Sequence, residues 1–245
     1  MNKIWIIAKK DIGEAFRSRS TYIFILVMLI VGVSYFQSYN SHVSVLTNKQ
    51  AITDFSRSFL TGLAYVLPMM YSILVCSIFA NYSVIVDKAK RNIESLMATP
   101  VSINQIWIGK SLAVTLPSVI IGIGVAILGY LVMNFGFVIP KTGVFIFLDF
   151  LAIVSVIIIV PILVFSIVMI VINIQLVINN PRIASLVFTG IFILLLFGVN
   201  AMGGLGLSIS YFALIYLGVI VLCAGVSFIL SRSLTKEKVL LSSKI

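Results

Sequence analysis

The chain has 245 residues, of which 61% are hydrophobic and 10% are charged, and its formal net charge is +10. Soluble domains carry about a quarter charged residues, so this composition excludes a soluble globular domain and indicates that lipid surrounds most of the surface. The basic residues stand in short clusters between long apolar runs. This pattern is typical of a membrane surface and argues against a nucleic-acid partner.

Residues 1–19 form a basic segment in front of the first long apolar run. Trp5, Ala8, Ile12 and Phe16 recur at helical spacing and form one apolar stripe. The stripe predicts an amphipathic helix that lies on the membrane surface, with Trp5 at the interface. A generic juxtamembrane anchor has the same pattern and is the alternative.

Long stretches without a charged residue locate the membrane spans. A spanning helix needs about 20 apolar residues, so each of the first four stretches predicts one span. The fifth stretch is longer, and the glycine-rich segment 200–210 divides it into two spans. The predicted spans are Thr21–Phe36, Phe59–Val86, Ser111–Asn134, Val144–Ile172, Ile183–Val199 and Tyr211–Leu230.

The distribution of Lys and Arg predicts the orientation of these six spans. With the N-terminus in the cytoplasm, fourteen of the 17 basic residues fall on cytoplasmic segments, and Lys49, Arg57 and Lys141 fall outside. Cytoplasmic loops are enriched in Lys and Arg, so both termini are predicted to be cytoplasmic.

These patterns predict an all-α integral membrane protein with six transmembrane helices and a preceding N-terminal amphipathic interfacial helix. The whole chain, 1–245, is expected to be a single multi-pass domain of the plasma membrane. Its predicted parts are the elbow helix 1–19, the six spans within 20–231, a cytoplasmic loop at 87–110 and a basic cytoplasmic tail at 232–245.

The loop 87–110 contains a short helix of its own. Ile93, Leu96 and Met97 share one helical face, and Pro100 is expected to end the helix near Thr99. Ser102 is a suitable cap for the next helix. The helix is shaped to dock on a cytoplasmic partner, whereas a plain connector is the alternative.

Three prolines lie inside predicted spans, namely Pro68, Pro117 and Pro161. Proline removes a backbone hydrogen bond and bends or breaks a helix. A kink is therefore predicted at each, although proline is also ordinary in membrane helices.

The predicted spans carry little chemistry. No central ionisable residue is expected in any of them, which argues against a proton-coupled carrier. Asp149 is expected near the membrane interface, and His42 is a loop residue without metal-ligand neighbours. Gly109-Lys110-Ser111 lacks the earlier glycine of a phosphate-binding loop. No catalytic, metal or cofactor site is predicted, so the chain is not expected to be an enzyme.

The segment Glu94-Ser-Leu96-Met97-Ala-Thr99-Pro100-Val-Ser102, followed by Gly109-Lys110, resembles the loop after the second span in permease subunits of type-two ABC exporters. That family shows a similar Gly-Thr-Leu-Glu-x-Leu-Leu-x-Thr-Pro-Val-Ser stretch and then Gly-Lys. In this chain Arg91-Asn92 replace the Gly-Thr pair and Met97 replaces a leucine. The elbow helix, six spans and cytoplasmic ends are also similar to that family.

The resemblance implies that two permeases, as a homodimer or a heterodimer, form the pathway and that each binds a separate ATPase subunit, which holds ATP and magnesium. It also implies that the loop helix couples the two subunits. By motif, the coupling residues are Arg91, Ile93, Glu94, Leu96, Met97, Thr99 and Pro100. An ATP-independent channel or carrier, or a structural subunit of a larger membrane complex, is the alternative function.

Overall fold

The computed structural model describes residues 3–16, 37, 39–46, 48–90, 92–178, 190, 211–235, 237 and 239. All regular elements in this part of the chain are helical, so the all-α prediction is confirmed there. Thr21–Phe36 lies outside the described residues, as does Ile183–Val199 apart from residue 190. The six spans and the cytoplasmic termini stay predictions.

Among the described residues, four helices are long and apolar enough to cross a membrane. They indicate a membrane protein. Numbered along the chain, the helices are α1 (Lys3–Phe16), α2 (Lys49–Val86), α3 (Asn92–Met97), α4 (Ile103–Thr142), α5 (Phe150–Val177) and α6 (Tyr211–Ser233). The four candidate spans are α2, α4, α5 and most of α6.

The start of α4 shows how local sequence sets a helix boundary. The Ser102 side chain accepts a hydrogen bond from the Gln105 amide at 3.3 Å, and the Gln105 side chain accepts one from the Ser102 amide at 3.1 Å. This reciprocal cap satisfies two backbone donors, as the sequence predicted for Ser102. Residues 103–110 are consequently helical, as expected for a helix that Ser102 caps.

The fourth predicted span begins later than expected. It was predicted from Val144, but α5 starts at Phe150 and residues 145–149 are not helical. Asn134 Oδ1 accepts a hydrogen bond from the Ile146 amide at 3.1 Å, and the Tyr130 hydroxyl donates to the Ile146 carbonyl. Because side chains of α4 satisfy both backbone groups, this apolar segment does not need to be helical.

In the middle of the bundle, α2 and α4 approach each other closely. A Cβ atom at Gly122 would lie 2.7 Å from the Pro68 carbonyl oxygen and 3.0 Å from the Ser72 amide nitrogen. These distances leave no room for a side chain, so the contact requires glycine at position 122.

The three prolines have different surroundings. The chain stays α-helical on both sides of Pro68 and Pro117. Pro161 follows a π-helical segment, Ser155–Ile159. A proline lacks the amide that would continue the α-helical pattern, so a local change of hydrogen bonding is expected beside it.

The bundle has two ends with different side chains. The α1 end contains α1, residues 81–90 and 92–110, and Ile178, whose carbonyl accepts a hydrogen bond from Lys88 Nζ at 3.0 Å. The far end contains residues 39–46, 48–50 and 134–149, and Lys141 Nζ lies 2.7 Å from Asn40 Oδ1 there.

Candidate functional site at the α1 end

A buried group of charges lies at the α1 end, and Lys110 is at its centre. Lys110 Nζ lies 3.0 Å from Asp11 Oδ2 and 2.6 Å from Asp87 Oδ2, and it also donates to the Ser83 carbonyl. A lysine ammonium has three N–H donors, so these three acceptors satisfy all of them. The side chains of Lys110, Asp11 and Asp87 are 1%, 4% and 6% exposed. We call these three residues the ionic cluster.

The neighbouring glycine brings α1 close enough to supply Asp11. A Cβ atom at Gly109 would lie 3.2 Å from the Ile4 carbonyl oxygen and 3.3 Å from the Ile7 Cβ atom. α1 therefore packs directly on the backbone of α4, and the next residue, Lys110, reaches Asp11. The Gly109-Lys110 pair, part of the family resemblance, thus has a physical role in docking α1.

The π-helical end of α2, Asn81–Val86, supplies two groups to the cluster through Ser83. The Ser83 carbonyl accepts the third hydrogen bond of Lys110, and the Ser83 hydroxyl donates to Asp11 Oδ2 at 2.7 Å. π-helical segments occur often at functional sites.

The cluster keeps Asp87 ionised. Burial raises the pKa of the Asp87 carboxyl, but the Lys110 charge and the hydrogen bonds from Lys110 and Asn92 outweigh burial, so the pKa lies below its usual value. Ionised Asp87 stabilises the fold at neutral pH. This contribution is lost as the pH falls through the lowered pKa.

Helix α3 is attached to the ionic cluster at its first residue. Asn92 Nδ2 donates to Asp87 Oδ1 at 3.0 Å. Ile93 is fully buried, and Leu96 packs against the core. Ser95 is exposed, as are residues 98–100 after the end of α3. The side of α3 that is available to a partner is therefore opposite to Ile93.

This orientation changes which predicted coupling residues can touch another protein. Thr99 and Pro100 are exposed and Glu94 is half-buried, whereas Ile93 is inside the protein. Arg91 lies outside the described residues, and for Met97 only the backbone is described. Within the predicted apolar docking face, Ile93 is buried inside this chain and Leu96 is half-buried against its core. The docking role of this face stays a prediction.

The predicted stripe on α1 is also divided. Ala8 is buried against the protein, Ile12 is half-buried and Trp5 is 49% exposed, while the side chain of Phe16 lies outside the described part. The face that packs on α4 contains Ile4, Ile7, Ala8 and Asp11. α1 thus has one face on the protein and exposes Trp5 and Ile6 on another.

The sequence analysis missed the ionic cluster, because Lys110 and Asp11 were counted only as charges on cytoplasmic segments. Lys110 is fully buried near the start of the long helix Ile103–Thr142, and the absence of a central ionisable residue from the spans stays a prediction. One local signal for the cluster was present: Asp11 falls at helical spacing from Ile4, Ile7 and Ala8, inside an otherwise apolar stripe.

The charged groups of the cluster contact one another, so the arrangement connects helices and leaves no obvious place for a ligand. No group of His, Cys, Asp or Glu side chains suited to a metal occurs within the described part of the chain. No protein-family model matches the chain, and neither does any curated protein. The resemblance to exporter permeases therefore depends on residues 94–102 and 109–110 and on the helical architecture.

Proposed function

We propose that the chain is the membrane-spanning permease subunit of an ATP-driven ABC transporter that works as an exporter in the plasma membrane. In this proposal, two copies form the translocation pathway, the α1 end faces the cytoplasm, and a separate ATPase subunit binds α3. ATP hydrolysis belongs to that partner.

The observation that carries the proposal is the position of α3. This short helix lies between two long helices, α2 and α4, along the chain. Ser95 of α3 is exposed, as are residues 98–100 just after it. Its other side packs inward through Ile93, and Asn92 bonds to the ionic cluster. A short helix that is exposed on one side and fixed on the other is suited to transmit a push from a soluble partner.

The test is co-purification of the detergent-solubilised chain with an ATPase, comparing two arginine substitutions. Ala98→Arg changes the exposed surface beside α3, and Val45→Arg changes a residue that is 79% exposed at the far end. We expect Ala98→Arg to lower the yield of bound ATPase at least about tenfold, because a buried unpaired charge costs an interface about 1.4 kcal/mol or more. Val45→Arg should leave the yield unchanged.

The captured partner must hydrolyse ATP as a purified complex and be identified as a nucleotide-binding subunit by mass spectrometry. Absence of such a subunit from a folded, monodisperse wild-type preparation would overturn the proposal. Equal losses with both variants would show that the contact is not at α3.

An ATP-independent carrier is the second candidate, and one observation favours it. Asn173 and Gln175 of α5 are 1% and 4% exposed, and within the described part of the chain Asn173 Nδ2 and both amide atoms of Gln175 have no hydrogen-bond partner. Buried unpaired amides are costly and are suited to contact a polar substrate within the membrane. Transport by the purified chain in vesicles without ATP would favour this candidate.

A further inference from the structure

We propose that the ionic cluster is a rigid joint that makes α1, the end of α2 and the start of α4 move together with α3. In this view α1 is a moving part of the coupling apparatus and not only a membrane anchor. The inference rests on the proposed function, because it assigns a role to the α1 end of an ATP-driven permease.

A continuous series of polar contacts runs from α3 to α1. Asn92 Nδ2 lies 3.0 Å from Asp87 Oδ1, Asp87 Oδ2 lies 2.6 Å from Lys110 Nζ, and Lys110 Nζ lies 3.0 Å from Asp11 Oδ2. The first residue of α3 is thus connected to the middle of α1 through side chains alone. A displacement of α3 therefore acts on the end of α2, on α4 and on α1 through these contacts.

Burial makes these contacts difficult to separate. The three charged side chains are at most 6% exposed, so a carboxylate that loses Lys110 has little water to replace it. Breaking a buried ion pair is much more costly than breaking an exposed one. The elements are therefore expected to move as one unit when α3 is displaced.

Apolar packing beside the cluster supports the same unit. Ile7 is 8% exposed and Ala8 is fully buried, and the α1 backbone lies against Gly109. If α1 were only an anchor on the lipid surface, its exposed apolar side chains, Trp5 and Ile6, would be enough to hold it there. It would not need to bury the Asp11 carboxylate inside the protein.

The first experiment fixes α1 to α4 with a disulfide and asks whether coupling survives. Ile7→Cys and Gly109→Cys are combined with Cys76→Ala and Cys223→Ala, because Cβ atoms at positions 7 and 109 would be 3.3 Å apart, near the range of a disulfide. Genetically encoded spin labels at positions 90 and 144, outside the exposed side of α3, report the distance change when the ATPase complex is trapped with ATP and vanadate.

We expect the same ATP-driven distance change with the disulfide oxidised or reduced, because a joint that moves as one body tolerates the link. Loss of the change on oxidation, with recovery on reduction, would mean that α1 has to separate from α4, and it would overturn the inference.

The second experiment removes the joint. We expect Lys110→Met to retain the bound ATPase but to show an ATP-driven distance change at least about twofold smaller than that of the wild type, because coupling travels through contiguous contacts. Glu14→Gln is the matched control, since Glu14 is an exposed acid on the same helix. It should behave as the wild type.

A full-sized response in folded Lys110→Met would overturn the inference. If that variant does not fold, the neutral variant Asp11→Asn/Lys110→Met/Asp87→Asn is measured instead. It should also retain the bound ATPase and show an ATP-driven distance change at least about twofold smaller than that of the wild type, and a full-sized change would overturn the inference. If neither folds, the disulfide experiment decides. A wild-type complex that contains no ATPase and shows no ATP response overturns the proposed function and the inference together. A responsive wild type with a contrary result overturns the joint alone.

Discussion

The α1 end and the far end hold their helices together by different interactions. At the α1 end, ionised groups of Asp11, Asp87 and Lys110 meet inside the protein. At the far end the contacts are mostly aromatic and neutral. The Tyr39 ring lies 5.3 Å from the Phe59 ring and its hydroxyl lies 2.7 Å from Ser56 Oγ.

This difference has a consequence for mutation. Loss of one partner at the α1 end leaves a buried charge, whereas loss of one partner at the far end leaves a neutral dipole. A buried charge is far more costly than a buried dipole. The α1 end should therefore be rigid and sensitive to substitution, as a site that transmits force requires, and the far end should be more tolerant.

The largest effect is expected from Lys110→Met. It leaves Asp11 and Asp87 without their shared cation, and we expect the free energy of unfolding to fall by about 3–5 kcal/mol. Unfolding in mixed micelles measures this quantity. Lys9→Met, on the exposed side of α1, is the control and should have little effect. Similar losses in both variants would contradict the comparison.

The close contact between α2 and α4 at Gly122 lies between the two ends, so disturbing it should destabilise the packing of both ends. Gly122→Leu places a side chain against the Pro68 carbonyl, and we expect a loss of about 2–3 kcal/mol from overpacking. Gly124→Leu is matched, because a Cβ atom there has no neighbour within 4 Å. Equal stability of the two variants would show that α2 and α4 do not need their close approach.

At the far end, Asn134→Leu removes the acceptor of the buried Ile146 amide. One neutral donor is left unsatisfied, so we expect a loss of about 1–2 kcal/mol, less than for Lys110→Met. Ser44→Ala removes an exposed hydrogen bond to the Ser41 carbonyl and should change stability by less than about 0.5 kcal/mol. A loss at Asn134 as large as that at Lys110 would remove the distinction between the ends.

The titration of Lys88 contributes nothing near neutral pH and is seen only in alkaline solution. Burial lowers the pKa of Lys88 from 10.5 to about 8. The unfolded chain therefore binds this proton more tightly, and stability should rise between about pH 8 and pH 10.5 while being unaffected by this group below pH 8. Lys88→Met should remove that rise, which unfolding at a series of pH values detects. The control Lys90→Met, at an exposed lysine, should retain the rise in stability. If the rise persists in Lys88→Met, it does not come from Lys88.

The sequence by itself determined the features that depend on neighbouring residues. Charge-free runs located α2, α4, α5 and α6, because a membrane helix needs only enough consecutive apolar residues. Ser102 predicted the start of α4, and Pro100 predicted that α3 ends close to Met97. These signals are local, since a cap or a helix stop acts within one turn.

Only the tertiary structure decided which side chains meet. Asp11 and Lys110 are 99 residues apart, and no local period records that pairing. The same holds for Asn134, which satisfies the backbone amide of the non-helical residue Ile146, and for Ile93, which faces inward on α3. Each outcome depends on a partner supplied by another element, so helical spacing shows which residues share a face but not what that face contacts.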